Sequence, residues 1–167
     1  YTVGKGYFAG TSANTFAPNM NVTRGMLVSV LGRLDGNTAQ NTTTQYTDVP
    51  GTMYYAHHVA WATANGIASG YGNNRFGPDD NVTREQMAVM IAKYLTYKAG
   101  IAARDEALTY IDADEISDWA LESVKLASQQ GILSGNSSGA FAPQNNATRA
   151  EVAAVIERLD KLLANLE

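Results

Sequence analysis

The chain has 167 residues, of which 45% are hydrophobic and 17% charged, with a net charge of -4 and no cysteine. That length suits one compact domain, the acidic balance argues against a nucleic-acid partner, and the lack of Cys excludes thiol catalysis, disulfides and thiolate metal sites. No apolar run approaches the roughly 18 residues of a membrane span, so no membrane insertion is expected, and Tyr1 in place of an initiator Met suggests a fragment or a processed product.

A repeat organises the chain. Gly10, Phe16, Pro18, Thr23 and Arg24 recur 60 residues later as Gly70, Phe76, Pro78, Thr83 and Arg84, and 65 residues further as Gly135, Phe141, Pro143, Thr148 and Arg149. Three copies of one string at unchanged internal spacing predict three copies of one supersecondary unit. Repeat one spans 1–35 and is incomplete, repeat two 46–96 and repeat three 110–160, within a single domain over 1–167.

In chain order, Tyr1 to Lys5 read as the last turn of a first helix, stopped at Gly6. A helix starting at Thr23 follows, with Leu27, Val30, Leu31 and Leu34 forming its apolar stripe. Segment 37–45 is a polar linker, a first helix is expected over 54–65, and Gly66 stops it. The Gly- and Asn-rich loop around 70–74 leads through Phe76-Gly77-Pro78 to a helix from Thr83, with its stripe at Met87, Met90, Ile91 and Tyr94. Segment 97–108 joins the units. Repeat three places an N-cap at Ser117, a first helix over 119–130, a stop at Gly131, a loop over 135–139 and a helix from Thr148 with Val152, Val155, Ile156 and Leu159. No segment shows sustained period-2 alternation, so the chain is expected to be all-α, built of helix-loop-helix units.

Thr23, Thr83 and Thr148 are placed to cap these helices, with capping boxes completed by Gln86 and Glu151 but not by Met26. The arginines that follow are anomalous, because a cation at the first helical position faces the positive end of the macrodipole. Two readings explain Arg24, Arg84 and Arg149: a buried ion pair with a carboxylate of a neighbouring unit, or an anion site where the guanidinium and the free N-H groups of the helix start meet a carboxylate or phosphate. Arg33, Lys93 and Arg158, in the last turns of the same helices, suit the dipole and read as structural.

The strings Thr148-Arg149-Ala150-Glu151, Gly66-Ile67-Ala68-Ser69-Gly70, and Tyr46-Thr47-Asp48-Val49 ahead of Tyr54-Tyr55 resemble the S-layer homology (SLH) motif over nearly the whole chain. The resemblance implies a pseudo-threefold, three-pronged spindle around a central helical bundle. It also implies an extracellular module that anchors a parent surface protein or S-layer to the bacterial cell wall. The implied partner is peptidoglycan or its associated secondary cell wall polymer, carrying pyruvylated N-acetylmannosamine and held in grooves between repeats. There the ketal carboxylate would meet Arg24, Arg84 and Arg149. Repeat one carries Gly25-Met26, and repeat two Glu85-Gln86, where the family often has Ala-Glu or Gly-Glu. Repeat two has chain on both sides, so Arg84 is expected to contribute most.

Tyr54 and Trp119 share one register and Tyr71 lies in a loop, where rings can stack on sugar faces or pack in the core. Trp61 is expected in the bundle, and Phe16, Phe76 and Phe141 as plugs beneath the loops. Asp48 and Asp112 suit a sugar hydroxyl, an Arg or the cap of a turn. Gly70 and Gly135, in the Gly-rich loops beside the arginines, are counted with them, and with Thr23, Thr83 and Thr148, as candidate ligand-binding residues. His57 and His58 lack a zinc spacing, Asp112, Asp114 and Glu115 lack the remainder of a calcium loop, and no nucleophile motif is present. An enzyme and its cofactors are therefore not expected within this chain. The alternative function is a protein-interaction or self-assembly module without direct glycan binding.

Overall fold

The structure, a computed structural model, describes residues 1–10 and 15–166. Among them are five α-helices: α1 (Arg24–Leu34), α2 (Ala56–Ala64), α3 (Arg84–Ala99), α4 (Asp118–Gln129) and α5 (Arg149–Ala164). A 3-10 turn covers Ala113–Glu115, and the described residues contain isolated bridges but no strand. The chain is thus all-α, and each arginine of the repeat is the first residue of its helix. The first helices are slightly displaced from expectation: α2 starts at Ala56, because Tyr55 is its N-cap, and α4 starts at Asp118. Segment 97–108 is not wholly a connector, since α3 continues to Ala99 and ends where Gly100 turns left-handed at φ +65°.

The three repeats close on one another through backbone. Val22 N-H donates to Ala147 O, Ala147 N-H to Val82 O, and Val82 N-H to Val22 O, at 2.9 Å each. All three residues are fully buried, so an apolar triangle marks a pseudo-threefold axis where β propensity and burial coincide. Around it α1, α3 and α5 bring their stripes together: Leu31, Ile91 and Ile156 have no exposed surface. The first helix of each later repeat packs on the second helix of the preceding one, α2 on α1 and α4 on α3. Trp61 lies in this core, Phe76 and Phe141 are fully buried beneath their loops, and Phe16 is half-buried.

Each first helix ends in the same way. Ile67 N-H donates to Ala62 O at 2.8 Å and Gly66 N-H to Thr63 O at 3.1 Å, and Ile132 and Gly131 repeat the pattern on Ala127 and Ser128. This is the double closure that a left-handed glycine permits. Tyr7 N-H bonds Thr2 O and Gly6 N-H bonds Val3 O in the same registers, so Tyr1 to Lys5 do form the closing turn of repeat one.

The Phe-x-Pro step reverses the chain through a left-handed central residue: Ala17 at φ 51°, Gly77 at 70° and Ala142 at 56°. For alanine this costs about 1 kcal/mol, and in repeat three the cost is offset by Asp112. Its carboxylate oxygens accept from Phe141 N-H and Ala142 N-H at 2.7 Å each, as Asp48 accepts from Phe76 and Gly77 at 2.8 Å.

Candidate functional site: three grooves between repeats

At each helix start the first two amides are already satisfied. Arg24 N-H bonds Asp80 O at 2.9 Å and Gly25 N-H bonds Pro78 O at 2.8 Å. Arg84 and Glu85 reach Asn145 O and Pro143 O, and Arg149 and Ala150 reach Met20 O and Pro18 O. The third amide goes to the threonine cap, with Thr23, Thr83 and Thr148 Oγ1 each accepting at 3.3 Å. The expectation that free helix-start N-H groups would help hold an anion is therefore corrected, because closure of the repeats uses them.

The arginine side chains follow the same circular order, each crossing into the next repeat. Arg24 Nε donates to Phe76 O at 3.0 Å and Nη2 to Ser69 O at 2.7 Å. Arg149 Nε donates to Phe16 O at 2.7 Å and Nη2 to Ala9 O at 2.6 Å. Arg84 Nε and Nη2 donate to Phe141 O at 2.7 Å and Ser134 O at 2.9 Å. Two loop carbonyls thus explain why a cation tolerates the wrong end of a dipole. Aromatic faces complete each cradle: the guanidinium carbon of Arg24 lies 4.6 Å from the Tyr71 ring centre and 4.8 Å from Phe76, and that of Arg149 lies 4.7 Å from both Phe8 and Phe16.

The remaining nitrogen separates the three. Arg84 Nη1 donates to Glu151 Oε1 at 2.7 Å, the inter-repeat ion pair considered from sequence. In the same relative place Arg24 faces Gln86 and Arg149 faces Met26, and neither arginine has an ion pair among the described residues. Burial lowers the pKa of both Arg24 and Arg149, and for Arg24 the nearby Tyr71 and Asp80 oppose that shift.

Each arginine borders a groove. The Arg24 groove holds about 580 Å³ and is walled by Gly70, Tyr71, Gln86, Lys93 and Trp119. The Arg84 groove, about 530 Å³, is walled by Gly135, Asn136, Thr148, Glu151 and Arg158. The Arg149 groove, about 440 Å³, is walled by Phe8, Met20, Met26, Arg33 and Tyr54. Trp119 is 60% exposed, Tyr71 54% and Tyr54 51%, so these rings present open faces to the grooves. Gly70 is needed where it stands, because a Cβ there would run into the Arg75 carbonyl and the Tyr46 ring.

Of the residues singled out from sequence, the arginines, Gly70, Tyr71, Trp119, Gly135, Thr148 and Tyr54 line grooves. Thr23 and Thr83 act as caps. Asp48 and Asp112 stand behind the loops and hold the Phe-x-Pro backbone, so they position the carbonyls that receive the arginines. Burial opposes their ionisation, but the backbone N-H donors outweigh it, and both carboxyls sit below the ordinary carboxylate range. His57 and His58, consecutive on α2, bring their ring centres to 3.8 Å, with His58 buried. Lys93, Arg33 and Arg158, read as structural, each line a groove. Arg33 and Arg158 bond the carbonyls of Tyr7 and Ile132, whereas Lys93 is exposed and makes no hydrogen bond or ion pair among the described residues. Their shared 60- and 65-residue spacing was the signal available for that placement.

Comparison with known proteins agrees with this geometry. An endoglucanase of Bacillus sp. (strain KSM-635) is 34% identical over 151 residues, 90% of this chain and 16% of its own. Cell surface glycoprotein 1 of Acetivibrio thermocellus is 29% identical over 92% of this chain and 7% of its own, and a cellulosome-anchoring protein of the same organism is 33% identical over 59% and 22%. The chain therefore spans a small part of each of these relatives. The S-layer homology domain profile matches residues 1–25, 45–88 and 109–153, one segment per repeat, and the chain belongs to that family.

Proposed function

We propose that this chain is a non-catalytic module that anchors a surface protein to the bacterial cell wall from outside the cell. It would do so by holding an acidic carbohydrate, the pyruvylated secondary cell wall polymer, in the grooves between repeats. The observation that carries this reading is the Arg24 groove. It combines a buried, carbonyl-oriented guanidinium with no carboxylate partner among the described residues, a second cation at Lys93, and two open aromatic faces at Tyr71 and Trp119. A guanidinium held by two carbonyls loses little freedom on meeting a carboxylate, and the rings supply apolar faces for a pyranose. Names among the relatives, from a cellulosome-anchoring protein to an endoglucanase matched over a small part of its length, suit an anchor attached to varied cargo.

The test is co-sedimentation with purified cell walls before and after acid removal of the secondary polymer. The chain should pellet with intact walls and stay in solution with stripped ones, and Arg24→Ala combined with Arg149→Ala should behave as if the walls were stripped. Equal pelleting with both preparations would point to peptidoglycan itself, and no pelleting with either would favour assembly with other protein.

A further inference from the structure

Beyond the Arg24 groove, a second cavity of about 530 Å³ opens between α3 and α4. The two helices run in parallel from adjoining starts, because Ser117 N-H and Oγ, at the head of α4, both donate to the Glu85 carboxylate near the head of α3, at 3.0 Å. Gln86, Met90 and Lys93 therefore line the first groove in order along α3, and Lys93, Thr96 and Tyr97 line the second. On α4 the order is Trp119 and Ser123, then Ser123 and Leu126. Lys93 and Ser123 belong to both cavities. From Gln86 to Tyr97 the furrow follows twelve helical residues, about 16 Å of axis.

The related pair α1 and α2 has no such extension, for two reasons. First, α1 ends at Leu34, directly after Arg33, whereas α3 runs six residues past Lys93 to Ala99. Second, His58 occupies the register of Ser123 and its ring is packed against Gly32, whose counterpart is Ala92. A buried imidazole fills in one pair the space that a serine leaves open in the other.

We propose that the furrow between α3 and α4 is a second carbohydrate subsite, which takes a neutral pyranose unit next to the acidic unit at Arg24. This rests on the reading of the Arg24 groove given above. Tyr97 is 43% exposed, and its ring is supported by Trp61 at 6.3 Å and Tyr94 at 6.2 Å between ring centres, so it offers a fixed platform. Ala92 and Leu126 form an apolar floor, with Asn65 and Thr96 as polar groups at the rim. Charge fixes the direction of the chain. Arg24 lies at the first groove alone and Lys93 stands where the two meet, while Glu122, paired with Lys125 at 2.9 Å, borders only the second and makes it the less favourable place for an anion.

Two probes test this: the methyl glycoside of pyruvylated N-acetylmannosamine, and the disaccharide in which an N-acetylhexosamine replaces the methyl group. Binding to the 167-residue chain is followed by calorimetry and by the indole N-H resonance of Trp119. The disaccharide should bind at least fivefold more tightly at the Trp119 site. Tyr97→Ala should abolish that gain while leaving the monosaccharide affinity unchanged, and Tyr97→Phe should retain it. Ala102→Trp, at an exposed loop position on the cavity wall, should abolish it by filling the space. Equal affinity of the two probes for the parent, or a gain that survives both Tyr97→Ala and Ala102→Trp, overturns the subsite and leaves the Arg24 groove standing. If the monosaccharide leaves the Trp119 resonance of the parent unmoved, the anchor reading falls and the subsite with it.

Discussion

Around Arg24 and around Arg84 the same parts meet: a helix-start arginine, two carbonyls of the next loop, an aromatic ring beneath, and the third residue of the neighbouring helix. Where the Arg24 groove has Gln86, the Arg84 groove has Glu151, and the carboxylate takes the nitrogen that in Arg24 has no partner among the described residues. Both residues complete a capping box equally well. The cap therefore survives either choice while the charge of the groove depends on it. The Arg84 groove also has no counterpart of Trp119 or Tyr54 on its wall among the described residues. On the proposed reading this would reverse the sequence-based ranking, in which Arg84 was expected to contribute most to binding.

The largest effect should come from giving the Arg24 groove the chemistry of its neighbour. Gln86→Glu keeps the cap but supplies a carboxylate to Arg24, and the affinity for a soluble pyruvylated sugar should fall by about 2–3 kcal/mol, as a charge-assisted bond to ligand is pre-empted. Arg24→Ala should lose a similar amount in calorimetry. Arg84→Ala should leave the affinity nearly unchanged and lower the melting temperature, since it strands two loop carbonyls and an interface carboxylate. If Arg84→Ala weakened binding more than Arg24→Ala, the distinction between the grooves would be wrong.

The converse change sharpens the comparison. Glu151→Gln retains the capping box and frees Arg84, so the Arg84 groove should gain affinity by about 2 kcal/mol. In calorimetry this would appear as a raised stoichiometry. An unchanged stoichiometry would assign the silence of that groove to its missing aromatic wall.

The next effect concerns pH and separates the Arg149 groove from the Arg24 groove. His58 lies in the contact of α2 with α1, its Nδ1 is buried without a hydrogen-bond partner, and burial followed by the charges of His57 and Arg33 lowers its pKa to about 4 from 6.5. The folded state therefore keeps His58 neutral while the unfolded chain takes up a proton. Its contribution is complete above pH 6.5 and is lost progressively down to about pH 4. That loss should amount to about 1–2 kcal/mol after allowance for partial hydration. Melting curves of the parent and His58→Leu between pH 7.5 and 4 should diverge accordingly, and His57→Gln should track the parent more closely. Because Tyr54, two residues before α2, lines the Arg149 groove, loosening of α2 should weaken that groove on acidification before the Arg24 groove, although neither wall contains a histidine.

Much of this architecture was legible in the repeat. Constant spacing of Gly, Phe, Pro, Thr and Arg located the loops and second helices, and the arginines stood out because helix electrostatics disfavours them at the first position. What spacing could not show was the circular order in which Arg24 reaches Ser69, Arg84 reaches Ser134 and Arg149 reaches Ala9, since closure of a ring is a tertiary property. For the same reason Gln86 and Glu151 read as completing a capping box and Met26 as failing to, when each also faces a neighbour's arginine. Lys93 escaped notice because a place expected in the last helical turn was a sufficient explanation for a cation, whereas α3 runs on to Ala99 and has Lys98 in its last turn. The end of α3 was misplaced because Tyr97 to Ala99 contain no stop signal, which comes only at Gly100.

Met26 offers the smallest and most discriminating change. It occupies the position of Gln86 and Glu151, but a thioether cannot accept the cap N-H, so α1 has a one-way cap where α3 and α5 have reciprocal ones. Met26→Glu should complete the box and place a carboxylate beside Arg149, raising stability by about 0.5–1 kcal/mol. The same carboxylate would occupy the guanidinium nitrogen proposed to meet the ligand, so binding in the Arg149 groove should fall as the melting temperature rises. Met26→Gln separates the two contributions, because it completes the cap without adding charge and should stabilise the helix with binding preserved. Equal loss of binding in both variants would show that the apolar methionine, lining the groove with Met20 and Tyr54, is itself part of the ligand contact.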